Sequence, residues 1–471
     1  MLQKLLSHAA IYGLAAQVPR LAGVLALPII TRYLTTTDYG VAGVVTAYAS
    51  ALGIMQSLGL SVVMVNSFAR HPARYKWIWR QLHGFTLLWS VVYGLVLGIV
   101  LYWAIPEGAA ENRWQIIALN VLPAMFFHSM GLFGGLYYQM QQRPLPIALN
   151  SFVVGALVVA LNIYTIAYLR LGYMGWFYSN FMGAAAGFLL YGYMMYRHER
   201  MWPIFRFKWQ RIRHSLRVAL PVVPHHFSFF LLDTSDRLVM DVLRVPVSQI
   251  GLYNVASSFG VYFSSASNAI VQAANPLYMR LYSASADDEA ALQARRLTFS
   301  LQVLFLVGTS LLGLWMKEVF ILLIRNEALQ SAFPLAIIIL MGYNYKPMYL
   351  AVINQLVYRE KTKALWKIST VAGAGNVVLN FVFVPVFGIE AAAFTTFAAL
   401  MYMGYAGYLL KEYKQIRRVN YLPWIWLPVN VAALLGVYLL ADAEGVVKIT
   451  VTALLSVLGL AFVLYHRRGA A

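Results

Sequence analysis

The sequence predicts an all-α polytopic membrane protein of about fourteen transmembrane helices, arranged as two six-helix halves with two helices appended. Composition points there first: 61% of the residues are hydrophobic and 11% charged, where a soluble domain carries roughly a quarter charged. Apolar stretches near the ~20 residues needed to cross a bilayer follow one another, separated by short loops. Finally, those loops alternate between basic and nearly uncharged or acidic. Cationic residues are retained on the cytoplasmic side during insertion, so the alternation sets the number of spans and puts both termini in the cytoplasm.

The net charge of +19 would suggest a nucleic-acid partner in a soluble protein. Here the excess lies in the loops, where it matches an anionic inner leaflet, so no nucleic acid is expected. There is no cysteine, which excludes disulfides and thiolate metal sites. The first apolar stretch follows only Lys4 and His8, contains Arg20 and lacks a small-residue cleavage site. It reads as an uncleaved first span.

The expected spans cover, roughly, 9–31, 40–66, 82–105, 115–139, 147–169, 174–196, 216–242, 250–275, 298–316, 331–357, 365–386, 390–410, 423–441 and 446–465. Basic connections follow spans two, six, ten and twelve: Arg70 to Arg80, Arg197 to Arg217, Arg359 to Lys367, and Lys411 to Arg418. The acidic pairs Glu107/Glu111 and Asp442/Glu444 lie on the other side. The Lys317–Gln330 segment reads as amphipathic and interfacial. The longest connections, Arg197–Arg217 and Tyr278–Arg296, are too short to bury a core of their own, so no soluble domain exists to bind a nucleotide. The pairs Gly94/Gly98 and Gly183/Gly187 read as close helix contacts, not phosphate loops.

An internal repeat runs in one direction through the chain. Leu161-Asn162 followed by Gly172 and Gly175 matches Leu379-Asn380 followed by Gly388 and Ala391. Asp38-Tyr39-Gly40-Val41 matches Gln249-Ile250-Gly251-Leu252. The organisation expected is an N-terminal lobe over 1–198, a basic cytoplasmic linker over 199–215, a C-terminal lobe over 216–414 and an appendage over 415–471. Parallel repeats place the substrate path between the bundles.

Most Lys and Arg sit in the basic loops, but Arg20, Arg237 and Lys346 fall inside predicted spans. Each costs at least about 2.5–3.5 kcal/mol at a helix centre, which marks them as substrate-binding candidates. Span seven is the richest in polar groups. His226, Phe230, Asp233, Arg237 and Asp241 form a stripe at helical spacing, on which Arg237 can pair with Asp233 and Asp241. Such a stripe must face the bundle interior or a wet cavity, and Pro221 and Pro224 free carbonyls beside it. Asp233, Asp236 and Asp241 are candidates for gating or ion coupling, or they pin the helix against Arg237. Arg20 has no acid within four residues, so its partner comes from another helix or from substrate. Lys346, beside Tyr343, Asn344 and Tyr345, also lacks a local acid and suits proton coupling. Arg32 and Asp38, at the outer end of the first helix, read as interfacial or gate residues. Asn162 and Asn380 head a set of amides spread through the bundle. The 31 tyrosines exceed two interfacial belts, leaving some to pack against sugar rings.

The stretch Leu220-Pro-Val-Val-Pro-His, then Asp236-Arg-Leu-Val-Met, then Ile250-Gly-Leu-Tyr-Asn-Val-Ala resembles the start of the second half of polysaccharide transporters of the O-antigen flippase type. Tyr33-Leu-Thr-Thr-Thr-Asp-Tyr-Gly with Leu58-Gly59-Leu60 is similar to the first half of the same family. The resemblance covers essentially the whole chain. It implies two lobes in a V around a central cavity, alternating access, and oligosaccharide on polyprenyl diphosphate as substrate. It also implies a bacterial inner membrane, with glycosyltransferases and a chain polymerase as neighbours in the same process. Lumenal cations of that superfamily carry over only to Arg20 and Arg237. The expectation is therefore a flippase for a lipid-linked O-antigen or exopolysaccharide unit, not an enzyme, with no cofactor beyond a coupling H+ or Na+. Two alternatives share the scaffold, a lipid II-type flippase and a multidrug or cation antiporter. A membrane glycosyltransferase is disfavoured because the outward loops are short and offer only Glu107 and Glu111 before the late pair.

Overall fold

The computed structural model describes residues 17–284, 288–359, 361 and 365–468. The described residues hold helices and turns and no strand. In chain order the α-helices are α1 (17–30), α2 (Thr36–Gln56), α3 (Leu60–Arg70), α4 (Tyr75–Ala104), α5 (Arg113–Leu122), α6 (His128–Met140), α7 (Pro144–Asn162) and α8 (Tyr173–Gly192). Then come α9 (Trp209–Ala219), α10 (Val223–Asp233), α11 (Ser235–Val242), α12 (Val247–Ala284), α13 (Asp288–Leu314), α14 (Met316–Leu323) and α15 (Glu327–Gln330). The last seven are α16 (Phe333–Gly342), α17 (Lys346–Tyr358), α18 (Leu365–Phe387), α19 (Ile389–Tyr405), α20 (Lys411–Lys414), α21 (Pro423–Leu440) and α22 (Gly445–Arg468).

Among the described residues, nine helical stretches are long and apolar enough to cross a membrane. The expected spans at 9–31, 174–196, 216–242, 250–275 and 390–410 are also largely helical where described. The chain is a multi-pass membrane protein. Two connections differ from expectation. Tyr278–Arg296 is not a loop: α12 runs on to Ala284 and α13 starts at Asp288. The interfacial segment breaks into the short α14 and α15.

Two compact units emerge. The first takes the residues through Phe230 together with Pro246–Gly251 and Leu323–Asn326; the second takes Leu231–Val245, Leu252–Leu322 and the rest from Glu327.

The first unit is knit by local chemistry. Thr35 and Asp38 form a reciprocal capping box that starts α2, and the other Asp38 oxygen accepts from the Tyr173 N–H at 2.9 Å, fixing the start of α8. Gly40 and Gly251 let two helix starts meet. A Cβ on Gly251 would stand 1.8 Å from the Thr36 carbonyl, and one on Gly40 2.0 Å from that of Val247. Gly183 receives the Val158 side chain and Gly94 receives Met125, so the small-residue pairs do serve close helix contact. At 323–326 the chain hooks onto the end of the first helix: the Arg325 N–H donates to Thr31 Oγ1 and the Asn326 amide to the Leu34 carbonyl. The basic linker is ordered. Its backbone lies on α4, where the Ile204 N–H bonds the Arg80 carbonyl and Gln81 donates to the Arg206 carbonyl.

In the second unit the 18-residue apolar window of the Glu327–Tyr358 stretch is 83% buried, against 11% for that of Pro144–Tyr168 in the first. That span is the axis of its bundle, so a cation on it sits among protein rather than lipid. The hairpin α18–α19 turns at Gly388, whose φ of 70° is open to glycine at no steric cost. Gly172 turns α7 into α8 in the same way, at φ 55°.

Candidate functional site

The polar residues of the second unit converge on α11, where Asp236 is 2% exposed. One of its oxygens accepts from Asn376 at 2.8 Å and Asn380 at 2.7 Å, both on α18. The other accepts from the Tyr253 hydroxyl of α12 at 2.5 Å and from Thr396 of α19 at 3.0 Å. Thr395 in turn donates to the Asn380 carbonyl oxygen. One carboxylate thus ties four helices together, and every donor is neutral. Four such bonds satisfy the buried carboxyl group.

Arg237 is 7% exposed. Its Nε donates to Asn254 at 2.9 Å and its Nη1 to the Asp233 backbone carbonyl at 3.3 Å, with the Tyr253 ring beneath the guanidinium. The ion pairs expected of Arg237 with Asp233 and Asp241 do not form. For Asp233 the reason lies in the backbone. Thr234 (φ −137°) interrupts the helix between α10 and α11, so the four-residue rule does not carry from 233 to 237. The continuous stripe from His226 to Asp241 is broken at the same place. Asp233 ends α10 with its side chain exposed, and Asp241 is half-buried on α11. The side chain of His226 lies outside the described residues.

Lys346 begins α17 and is 6% exposed. Its ammonium donates to Ser264 Oγ at 3.0 Å, Ser267 Oγ at 2.7 Å, Asn268 Oδ1 at 3.0 Å and the Ser264 carbonyl at 3.3 Å, all on α12. These are neutral oxygens on successive turns, above the Tyr343 ring. Of the buried cations of the second unit, Arg237 and Lys346 are thus bonded by no carboxylate among the described residues.

The remaining candidates lie in the first unit. Arg20 is exposed on α1, Arg32 is exposed at the turn that follows, and Asp38 is spent on the caps of α2 and α8. Asn162 ends α7 with its Oδ1 buried and without a partner. The charge count along the sequence passed over Lys448, which is buried at the start of α22 and bonds Glu318 at 2.6 Å. It also passed over Tyr253, Asn254, Ser264, Ser267, Asn268, Thr395 and Thr396. Their signal was present as adjacent or turn-spaced polar residues inside apolar helices.

No group of three or more His, Asp or Glu among the described residues could hold a metal ion. Around Asp236 both hydroxyls and both amide groups donate to the carboxylate, while Asn376 Oδ1 is buried with no hydrogen-bond partner.

The chain matches the polysaccharide biosynthesis protein family over residues 5–282, more than half its length. It belongs to that family. Among solved structures, the chain is similar to an inward-facing multidrug resistance MATE transporter of the MOP superfamily, at TM-score 0.64 and 14% identity over 91% of this chain and 96% of that one. It is also similar to the lipid II flippase MurJ in an inward closed conformation, at TM-score 0.58 and 10% identity over 92% and 98%. A MATE transporter in complex with MaL6 follows at TM-score 0.55 and 15% identity, over 91% and 95%. No curated protein matches significantly. The fold is that of the MOP-superfamily transporters.

Proposed function

We propose that this family member is a flippase of the bacterial inner membrane. It carries a polyprenyl-diphosphate-linked oligosaccharide, an O-antigen or exopolysaccharide unit, from the cytoplasmic to the periplasmic leaflet by alternating access. The observation that carries this reading is the pair of buried cations, Arg237 and Lys346, each held by neutral oxygens in one helical unit. Glycan hydroxyls cannot cross hydrocarbon unsatisfied, so the path must be hydrated and polar. A diphosphate then offers both cations the charge-assisted bonds that their present partners do not. With about two negative charges moving outward, a 100 mV inside-negative potential contributes about 4–5 kcal/mol. Asp236, with Asn376, Thr396 and Tyr253, would hold the coupling H+ or Na+, whose charge adjusts the bundle between inward and outward states. No ATP is needed.

The experiment is glycan export in cells matched for protein level. Lys346→Met and Arg237→Ala should each reduce outward-facing lipid-linked glycan at least tenfold. Unchanged export from both variants would remove the two cations from the path.

A second reading, multidrug or cation antiport, is favoured by the likeness to the MATE fold and by the buried Asp236. Saturable binding of an organic cation, lost in Asp236→Asn, would select it. A flippase should show none.

A further inference from the structure

At the basic-loop end of the first unit lies a cleft of about 790 Å³, lined by Arg80, Arg197 and Arg200 with no acid among its walls. The nearby Glu199 is already taken, bonded by Arg143 at 2.6 Å and by the Tyr137 hydroxyl at 2.7 Å. Arg197 and Arg200 are exposed and make no hydrogen bond or ion pair among the described residues. Two guanidiniums thus stand free in one concavity with nothing to neutralise them.

The cleft is built by the fold, not by chance crowding of a loop. A π-helical turn at Tyr193–His198 ends α8 and precedes Arg200, a non-glycine residue at φ 54°. Such turns shift side chains off the regular helical face and are frequent at functional sites. Arg80 Nε reaches across to the Trp202 carbonyl at 2.7 Å, and Gly84 allows the linker backbone to lie against α4. The Trp202 indole stacks on Tyr196, with ring centroids 4.4 Å apart. The arginines are therefore set against an aromatic floor. The remaining wall is the end of α8, a helix that the sequence reads as a membrane span, where Leu189 is 66% and Tyr193 63% exposed. One cleft thus offers cations at the water end and apolar surface along the membrane.

We infer that this cleft binds an anionic phospholipid of the leaflet that the basic loops face, with its phosphate between Arg197 and Arg200 and an acyl chain along Leu189 and Tyr193. A free anion would use only the arginines, and a neutral lipid only the wall. Basic pockets at the cytoplasmic ends of helices take headgroups of this kind. Two free guanidiniums favour a lipid with two phosphates over one with a single phosphate. The inference is independent of the transport reading, because its readout is binding.

The test uses the full chain, delipidated in a neutral detergent, titrated with cardiolipin, phosphatidylglycerol, phosphatidylcholine, undecaprenyl diphosphate or inorganic phosphate. Native mass spectrometry counts bound lipid and thermal unfolding reports the stabilisation. Cardiolipin and phosphatidylglycerol should raise Tm saturably, while phosphatidylcholine and inorganic phosphate should not. Arg197→Gln with Arg200→Gln should weaken anionic-lipid binding by roughly 30-fold, about one kcal/mol for each charge, with the lipid-free Tm unchanged. Arg213→Gln, an exposed arginine of α9 outside the cleft, should bind as the parent does. Equal losses in both variants would mean diffuse attraction to the leaflet and overturn the site. Binding of inorganic phosphate as tight as that of lipid would overturn the lipid assignment. So would selective capture of undecaprenyl diphosphate, which would make the cleft a loading station for the carrier instead.

Discussion

The two units solve the same packing problem with different interiors. Among the described residues, the first buries no Asp, Glu, Lys or Arg, whereas the second buries Asp236, Arg237, Lys346 and Lys448. In the first unit the buried polar groups include no carboxylate, ammonium or guanidinium: Gln56 bonds the Ala124 carbonyl, Gln81 that of Arg206, and His83 meets the Tyr196 hydroxyl. Thr165 bonds the Leu161 and Gly175 carbonyls and meets Ser179 at 3.3 Å. In the second a buried carboxylate bridges helices distant in sequence. Yet the halves share their landmarks: an Asn late in the helix before a positive-φ glycine, Asn162 with Gly172 and Asn380 with Gly388. Asn380 has a carboxylate to serve, while Asn162 Oδ1 has no partner. The register that aligns Gly40 with Gly251 aligns Leu25 with Asp236, and Leu25 is 73% exposed. The repeat preserved the helix pair and placed charge in one copy only. Buried charge is costly to keep, and among the described residues the second unit alone carries it.

The sharpest way to break that contrast is to remove the charge from the hub. Asp236→Ala leaves the Asn376, Asn380, Tyr253 and Thr396 donors facing an empty space and, at about 1–3 kcal/mol for each buried donor left unpaired, should cost about 3 kcal/mol or more. Its counterpart in the first unit, Thr165→Ala, loses a local hydroxyl and should cost about 1 kcal/mol. Thermal or denaturant unfolding of the purified variants measures both. Asp236→Asn keeps the shape and should stay folded while losing ion-dependent transport. If Asp236→Ala and Thr165→Ala unfold alike, the polar hub is not what organises the second unit.

Next in size is a test of the meeting point of the repeats. Gly251→Ala drives a methyl group into the Thr36 carbonyl, a backbone atom that cannot swing aside. It should cost about 1–3 kcal/mol. Gly308→Ala, on α13 with nothing within 4 Å of the added Cβ, should be neutral or stabilising by up to about 1 kcal/mol. Equal unfolding of the two variants would mean that the crossing at Gly40 and Gly251 yields easily.

Much of this was legible from hydropathy and charge. The bilayer core holds no water, so the backbone must satisfy its hydrogen bonds internally and apolar spans become helices; the expected spans fall on helix where described. Arg237 and Lys346 were visible because a cation in an apolar run has few explanations. Their partners were not visible. A four-residue rule on one helix pairs Arg237 with Asp233, but the helix breaks at Thr234 and Arg237 bonds Asn254 on α12 instead. The Asp236 cluster joins residues more than a hundred positions apart, which no local pattern encodes. Linker order escaped for the same reason: the bonds that hold it run to α4 through backbone carbonyls, which carry no sequence signature.

The smallest expected effect on stability carries the sharpest functional contrast. Arg20 stood out in the sequence as a lone cation in an apolar helix, and the structure places it on the exposed side of α1. An exposed arginine that closes no buried network should be removable within about 0.5 kcal/mol. Arg20→Ala should therefore leave unfolding unchanged. If the first unit supplies a cation to the substrate, export should nonetheless fall severalfold in cells matched for protein level. A fall in export with intact stability would make Arg20 the N-terminal counterpart of Arg237, reached through the surface of its bundle and not through its core. Full export would confine the substrate's phosphates to the second unit and make the asymmetry of the two halves complete.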